Sequence, residues 1–252
     1  TLFRSTNRNT RVWKYKRKER ILMEEKRIAL LIDSDNVSRD YLDSILDEVT
    51  KYGVVTYKRI YGDWTDSRAK KWKDKLLENS ITPIQQFANT VGKNATDSAL
   101  IIDAMDILYT GKVEGFCIVS SDSDFTRLAS RLREGNMLVI GMGEDKTPKA
   151  LVESCNKFIN LSVVAGNDRG NVVAKNMMKK STIEKRIKNI INENEDKNKT
   201  TDLGELGSKL SNIYSDFDVR NYGNKTLSEF LSGFDSLKLT RKNTIVTVSL
   251  KK

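Results

Sequence analysis

The sequence predicts an α/β fold, a three-layer α/β/α domain around a mostly parallel sheet, followed by a small winged-helix unit. Three observations carry this. Short apolar runs alternate with helix-spaced segments between residues 27 and 161. After residue 181 the order changes to helices followed by one hairpin. Charge divides the chain in the same way: net +7 over residues 1–22, −3 over 23–162 and +6 over 163–252. An acidic centre between basic ends excludes a uniformly basic nucleic-acid coat. It allows an acidic site with cationic flanks.

Residues 1–22 have no sustained periodicity and no apolar signal core, and read as a basic, disordered arm. Ile28–Ile32 is a continuous apolar run ending in Asp33, the pattern of a buried parallel strand. Tyr41, Leu42, Ile45, Leu46 and Val49 recur at helical spacing, with Gly53 as the stop. Val54–Ile60 is a second strand, Asp66–Glu78 a polar helix and Ile81–Phe87 a third strand. Ala95–Tyr109 is a strongly apolar helix stopped by Gly111. Phe116–Val119 is a strand running into Ser120-Ser121-Asp122-Ser123-Asp124, and a helix follows to Arg133. Met137–Met142 is a strand, Pro148–Cys155 a helix with Pro near its start, and Phe158–Leu161 the last strand. Residues 23–161 are thus one domain, 162–180 a linker and 181–252 a second domain. In the latter, three apolar helical patterns begin at Ile183, Leu203 and Leu227, and a hairpin turns at Lys242-Asn243.

The 252 residues contain no His and two Cys. That excludes a His general base, a Ser-His triad and a Cys-only zinc site or disulfide framework. Cys117 sits in an apolar run and Cys155 at a helix end, which suits a reducing, cytoplasmic setting. No apolar run reaches the ~18 residues of a membrane-spanning helix.

The acids fall where strands end. Asp33 ends the first strand, Asp122 and Asp124 follow the fourth, and Asp97 opens the helix after the third, with Thr96 a candidate cap. In parallel sheets ligands bind outside the carboxyl ends of strands. Hard oxygen donors gathered there suit Mg²⁺ or Mn²⁺, which can activate water and stabilise displacement at phosphorus. Each acid also has a structural reading as a helix cap or first-turn residue. Asp103 and Asp106 fall off the face of Asp97 and rank below it. Asn36, Lys93, Ser120 and Ser121 are candidate substrate contacts near the acids.

Ile32-Asp33-Ser34-Asp35-Asn36, then Gly92-Lys93-Asn94-Ala95-Thr96-Asp97 running into Ile102-Asp103-Ala104-Met105-Asp106, then Val119-Ser120-Ser121-Asp122-Ser123-Asp124-Phe125, resemble the NYN family, the LabA-like branch of the PIN-like nucleases. The resemblance spans about residues 27–161, with Asp35 standing where many relatives carry Glu. It implies a PIN-like fold, divalent-metal-dependent RNA cleavage, and a metal site of Asp33, Asp97, Asp122 and Asp124. Asp216-Phe217-Asp218 through Tyr222-Gly223, Leu227–Phe230 and the final hairpin resemble an OST-HTH/LOTUS domain. That implies an RNA or protein partner, with Arg220 and Lys225 as candidate phosphate contacts in this domain, and Arg241 and Lys242 in the hairpin. Two other readings stay open. One is a non-catalytic RNA-binding adaptor. The other is a haloacid-dehalogenase-like phosphatase with Asp33 as nucleophile and Asp35 as acid/base, which lacks a suitably placed Lys.

Overall fold

The computed structural model describes residues 25–65, 72–87, 95–166, 178–243 and 245–251. The basic arm, Lys93 and most of the expected linker lie outside these residues.

Six strands form one sheet: β1 (Arg27–Asp33), β2 (Val54–Gly62), β3 (Thr82–Gln85), β4 (Gly115–Val119), β5 (Leu138–Gly143) and β6 (Lys157–Asn160). Their order is β3-β2-β1-β4-β5-β6, and every pairing is parallel. The helices are α1 (Leu42–Val49), α2 (Lys73–Glu78), α3 (Ala95–Thr110), α4 (Thr126–Glu134), α5 (Lys149–Ser154) and α6 (Leu161–Val164). Strand alternation explains the layers. Ala29, Leu31, Phe116 and Ile118 face one core with Leu100 and Ala104 of α3, Leu128 and Leu132 of α4 and Leu151 of α5. Ile28, Leu30, Ile32, Cys117 and Val119 face the other with Ile45 of α1, Leu76 of α2 and Leu161 of α6. β1 and β4 are buried on both sides, which is why their sequences read as continuous apolar runs.

The expected α/β fold is therefore observed. The first helix ends at Val49, four residues before Gly53. That glycine's φ is +155°, and a Cβ there would meet the Lys26 carbonyl at 2.0 Å. Of the helix expected over 66–78, only Lys73–Glu78 lies within the described residues. Leu161–Val164, expected to end a strand and start the linker, form instead a helical turn capped by Asn160, whose side chain accepts from Ser162 N.

The C-terminal domain comprises α7 (Lys180–Glu195), β7 (Thr201–Asp202), α8 (Leu203–Ile213), α9 (Leu227–Ser232), β8 (Leu237–Lys242) and β9 (Ile245–Leu250). The strands form an antiparallel sheet in the order β7-β9-β8. The expected hairpin turns through Asn243, at φ +54°. The short β7 is not legible in sequence, because two residues carry no period. Ile183, Ile187, Leu206, Leu210, Phe230 and Phe234 fill a separate core.

The two domains touch. Ser215 follows α8; its carbonyl accepts from Phe158 N of β6 at 2.8 Å, and its hydroxyl donates to the Val152 carbonyl at 2.9 Å. Lys157 Nζ donates to the Phe217 carbonyl. Arg220 lies between Glu48 and Asp218, at 2.6 Å and 2.7 Å.

Candidate active site at the carboxyl edge of the sheet

The strand order reverses beside β1. β1 leads to β2 on one side, and α3 carries the chain back to β4 on the other. The carboxyl ends of β1 and β4 therefore flank the crevice where such sheets bind ligands. Asp33 ends β1 and is fully buried. Its Oδ2 accepts from Ser120 Oγ at 2.7 Å and from Asn36 Nδ2 at 2.8 Å, and its Oδ1 accepts from Asp35 N at 3.0 Å. Burial nevertheless raises its pKa, because those bonds only partly replace water.

Ser120 Oγ also accepts from Asp122 N at 3.0 Å, so one hydroxyl ties the end of β4 to the end of β1. Asp122 Oδ1 accepts from Asp124 N at 2.9 Å and caps the 3₁₀ turn Ser123–Phe125. Its capping role is thus real, while it stands half-buried on the edge. Asp124 is exposed. Asp97, only 8% exposed, lies in the first turn of α3. Its pKa is pushed up to about 6, first by burial and then by the charges of Asp33, Asp122, Asp124 and Asp35. The acids named from sequence therefore share one electrostatic neighbourhood. Thr96 lies inside the first turn of α3, not at its cap.

The donor set consists of carboxylates with no imidazole or thiol, the chemistry of a hard divalent cation. Its mutual repulsion is what such a cation would offset. As they stand, no three acidic or thiol side chains among the described residues are gathered to hold an ion. The donors fit such an ion in kind.

Other candidates have different places. Ser121 is buried and hydrogen-bonded within the protein. Its Oγ accepts from Glu144 N at 2.9 Å and lies 3.0 Å from Thr147 Oγ1, so it ties the β4 turn to the loop after β5. Asn36 is occupied by Asp33. Arg220, a candidate phosphate contact from the sequence, is engaged in ion pairs within the protein. It pairs with buried Glu48 and with half-buried Asp218, and a buried carboxylate needs such a partner. Lys225 is exposed. Asp103, ranked second, pairs with Arg59 and accepts from the Tyr61 hydroxyl, away from the acid group.

Sequence reasoning missed the glycines that let the edge close. A Cβ on Gly143 would meet Thr147 Oγ1 at 2.5 Å and the Ser120 carbonyl at 2.8 Å. One on Gly62 would meet Ser34 Oγ at 2.1 Å. A glycine ending each of two strands beside the acids was the available signal.

The NYN domain family matches residues 27–162 and the OST-HTH/LOTUS domain matches residues 178–248, in the order expected from the sequence. An uncharacterized protein of Methanocaldococcus jannaschii is 28% identical over 125 residues, covering 48% of this chain and 49% of that protein. The chain thus spans about half the length of this curated relative. A crystal structure of a protein of unknown function from Vibrio parahaemolyticus aligns with a TM-score of 0.47 at 20% identity, over 55% of this chain and 94% of that one.

Proposed function

The chain belongs to the NYN family, and from that premise we propose that it is a divalent-metal-dependent ribonuclease that hydrolyses RNA phosphodiester bonds with water as nucleophile. NYN domains belong to a nuclease superfamily, and the OST-HTH/LOTUS domain supports RNA as the partner. The observation that carries the reading is the shared field of four carboxylates at the switch point, felt most clearly by Asp97.

Asp33, Asp97, Asp122 and Asp124 would hold Mg²⁺ or Mn²⁺. A bound ion of this kind supplies Lewis acidity to water and neutralises charge on the scissile phosphate. Asp33 is the rigid member, fixed by three hydrogen bonds. Asp122 and Asp124 ride on a turn anchored by Ser120 and by the Ser121–Thr147 contact, which keeps the acids in register while their side chains adjust. The sheet edge holds the reacting group, and exposed Lys225, Arg241 and Lys242 of the C-terminal domain attract phosphates at a distance. Among the described residues no helix is long and apolar enough to cross a membrane.

The test is cleavage of labelled single-stranded and structured RNA by the full chain with Mg²⁺, with Mn²⁺ and with EDTA, beside Asp122→Asn. Cleavage that needs the metal and is lost in the variant is expected. Metal-independent cleavage, or an equally active Asp122→Asn, would overturn the assignment. Binding without cleavage under all conditions would favour the adaptor reading.

A further inference from the structure

We infer that Trp64 is a base-stacking residue beside the acidic edge, holding one nucleobase of single-stranded RNA next to Asp33. The inference rests on the ribonuclease reading and extends it to a subsite.

Position comes first. Asp33 and Tyr61 are register partners across β1 and β2, and Ser34 N donates to the Tyr61 carbonyl at 3.1 Å. Gly62 is the next residue, and the Ser34 side chain lies directly against it. Trp64 folds back over the same glycine, its ring 3.9 Å from where a Cβ would stand. The indole therefore neighbours the loop that carries Asp33 and Asn36.

Rigidity comes second. Trp64 Nε1 donates to the Ile84 carbonyl at 2.9 Å, and Trp64 N donates to Gln85 Oε1 at 2.9 Å. Gln85 Nε2 in turn donates to Asp63 Oδ1 at 3.0 Å, and Asp63 Oδ1 also accepts from Thr65 N and Oγ1. The ring packs against the core shared with Trp72 and stays half-buried, neither swallowed nor free. A ring fixed before binding spares the ordering cost of association.

Chemistry comes third. This domain is net acidic, and its edge repels phosphate. Without a bound cation, an uncharged contact can supply affinity close to the acids, and stacking on an aromatic face is one. The indole N–H is already committed to Ile84, so it is not available to read a base edge. The contact is a face contact, which any base can make. Little sequence preference is expected at this subsite.

The experiment measures binding of a short single-stranded RNA to the full chain in EDTA, across a salt series. Trp64→Leu should weaken binding about tenfold, the scale of one missing base stack. The salt slope should stay unchanged, because the indole neutralises no phosphate. Trp64→Phe should recover part of the affinity. An abasic site walked along the oligonucleotide should weaken the wild type at one position and leave Trp64→Leu insensitive there. Photo-crosslinking of 4-thiouridine RNA to the wild type should map to the peptide carrying Trp64, whether or not Trp64→Leu folds. Crosslinks that exclude this peptide, or a folded Trp64→Leu with wild-type affinity, would overturn the stack while leaving the nuclease reading intact. No RNA binding by the wild type in EDTA, together with no binding or cleavage when Mg²⁺ or Mn²⁺ is supplied, would reject both.

Discussion

Replacing Asp97 by Asn removes the carboxylate whose proton affinity is most clearly raised in the cluster. The shift runs from the ordinary 3.8 to about 6. Each unit corresponds to about 1.4 kcal/mol, so ionising Asp97 costs the folded state up to about 3 kcal/mol at neutral pH without a cation. Two effects reduce the gain from removing it. A negative charge in the first turn of α3 contributes about 0.3–1 kcal/mol through the helix dipole, and solvent at the open edge screens the repulsion. The net expectation is that Asp97→Asn stabilises the metal-free chain by about 1–2 kcal/mol at pH 7. At about 2–4 °C per kcal/mol for a chain of this size, melting rises by about 2–8 °C. The pH dependence has a definite sign. Between about pH 4 and 6 the folded chain binds this proton and the unfolded chain does not, so the wild type gains stability as pH falls through that window. The difference between variant and wild type should therefore close near pH 4. Thermal unfolding by circular dichroism in EDTA, at pH 4 to 8, reads both effects. Added Mg²⁺ should raise the wild-type melting temperature more than that of the variant. A variant that melts at or below the wild type at pH 7 in EDTA would refute the repulsion argument.

Ser120→Ala removes the hydroxyl that joins Asp33 to the Asp122 turn, and should cost about 1–3 kcal/mol in urea unfolding together with most of the turnover, since a buried acceptor and a backbone donor both lose a partner; unchanged kcat would show that the strut is dispensable. Arg220→Ala leaves Glu48 with Lys51 alone and strips Asp218 of its ion pair at the domain contact, and should destabilise by about 1–2 kcal/mol at pH 7. Both carboxyls are held below their ordinary values, so their contribution is present above about pH 4.5 and fades as pH falls below it; equal urea midpoints for variant and wild type at pH 7 would contradict this. Neutralising Lys225, Arg241 and Lys242 together should flatten the salt dependence of RNA binding, by about 0.7 in log–log slope for each phosphate no longer neutralised, and a parallel salt series would assign the C-terminal domain to a protein partner instead.

The sheet was legible because β1 and β4 are buried on both faces, which leaves apolar runs that polar loops cannot imitate. The acids were legible because strand ends point one way in a parallel sheet, so Asp33, Asp122 and Asp124 could be placed without knowing strand order. Position does not reveal commitment. Arg220 reads as a free cation in sequence, and only packing shows Glu48, 172 residues away, opposite it. Ser121 and Ser120 are adjacent and alike, yet one bonds the loop after β5 and the other Asp33. Gly62 and Trp64 escape a sequence reading because close approach leaves no period to detect.

The sheet has two outer strands, and each offers one backbone donor fewer to further pairing by a different device. On β3, Pro83 pairs with Ile60 and has no N–H to offer a stranger. On β6, the Phe158 N–H is already taken by the Ser215 carbonyl, donated by a segment more than fifty residues downstream. The C-terminal domain thereby covers part of its neighbour's outer strand. A chain cut between the domains loses this partner and leaves the Phe158 N–H on that edge open to pairing. Fragments ending near residue 162 should be made and stored with that exposed template in mind, since strands so displayed recruit one another.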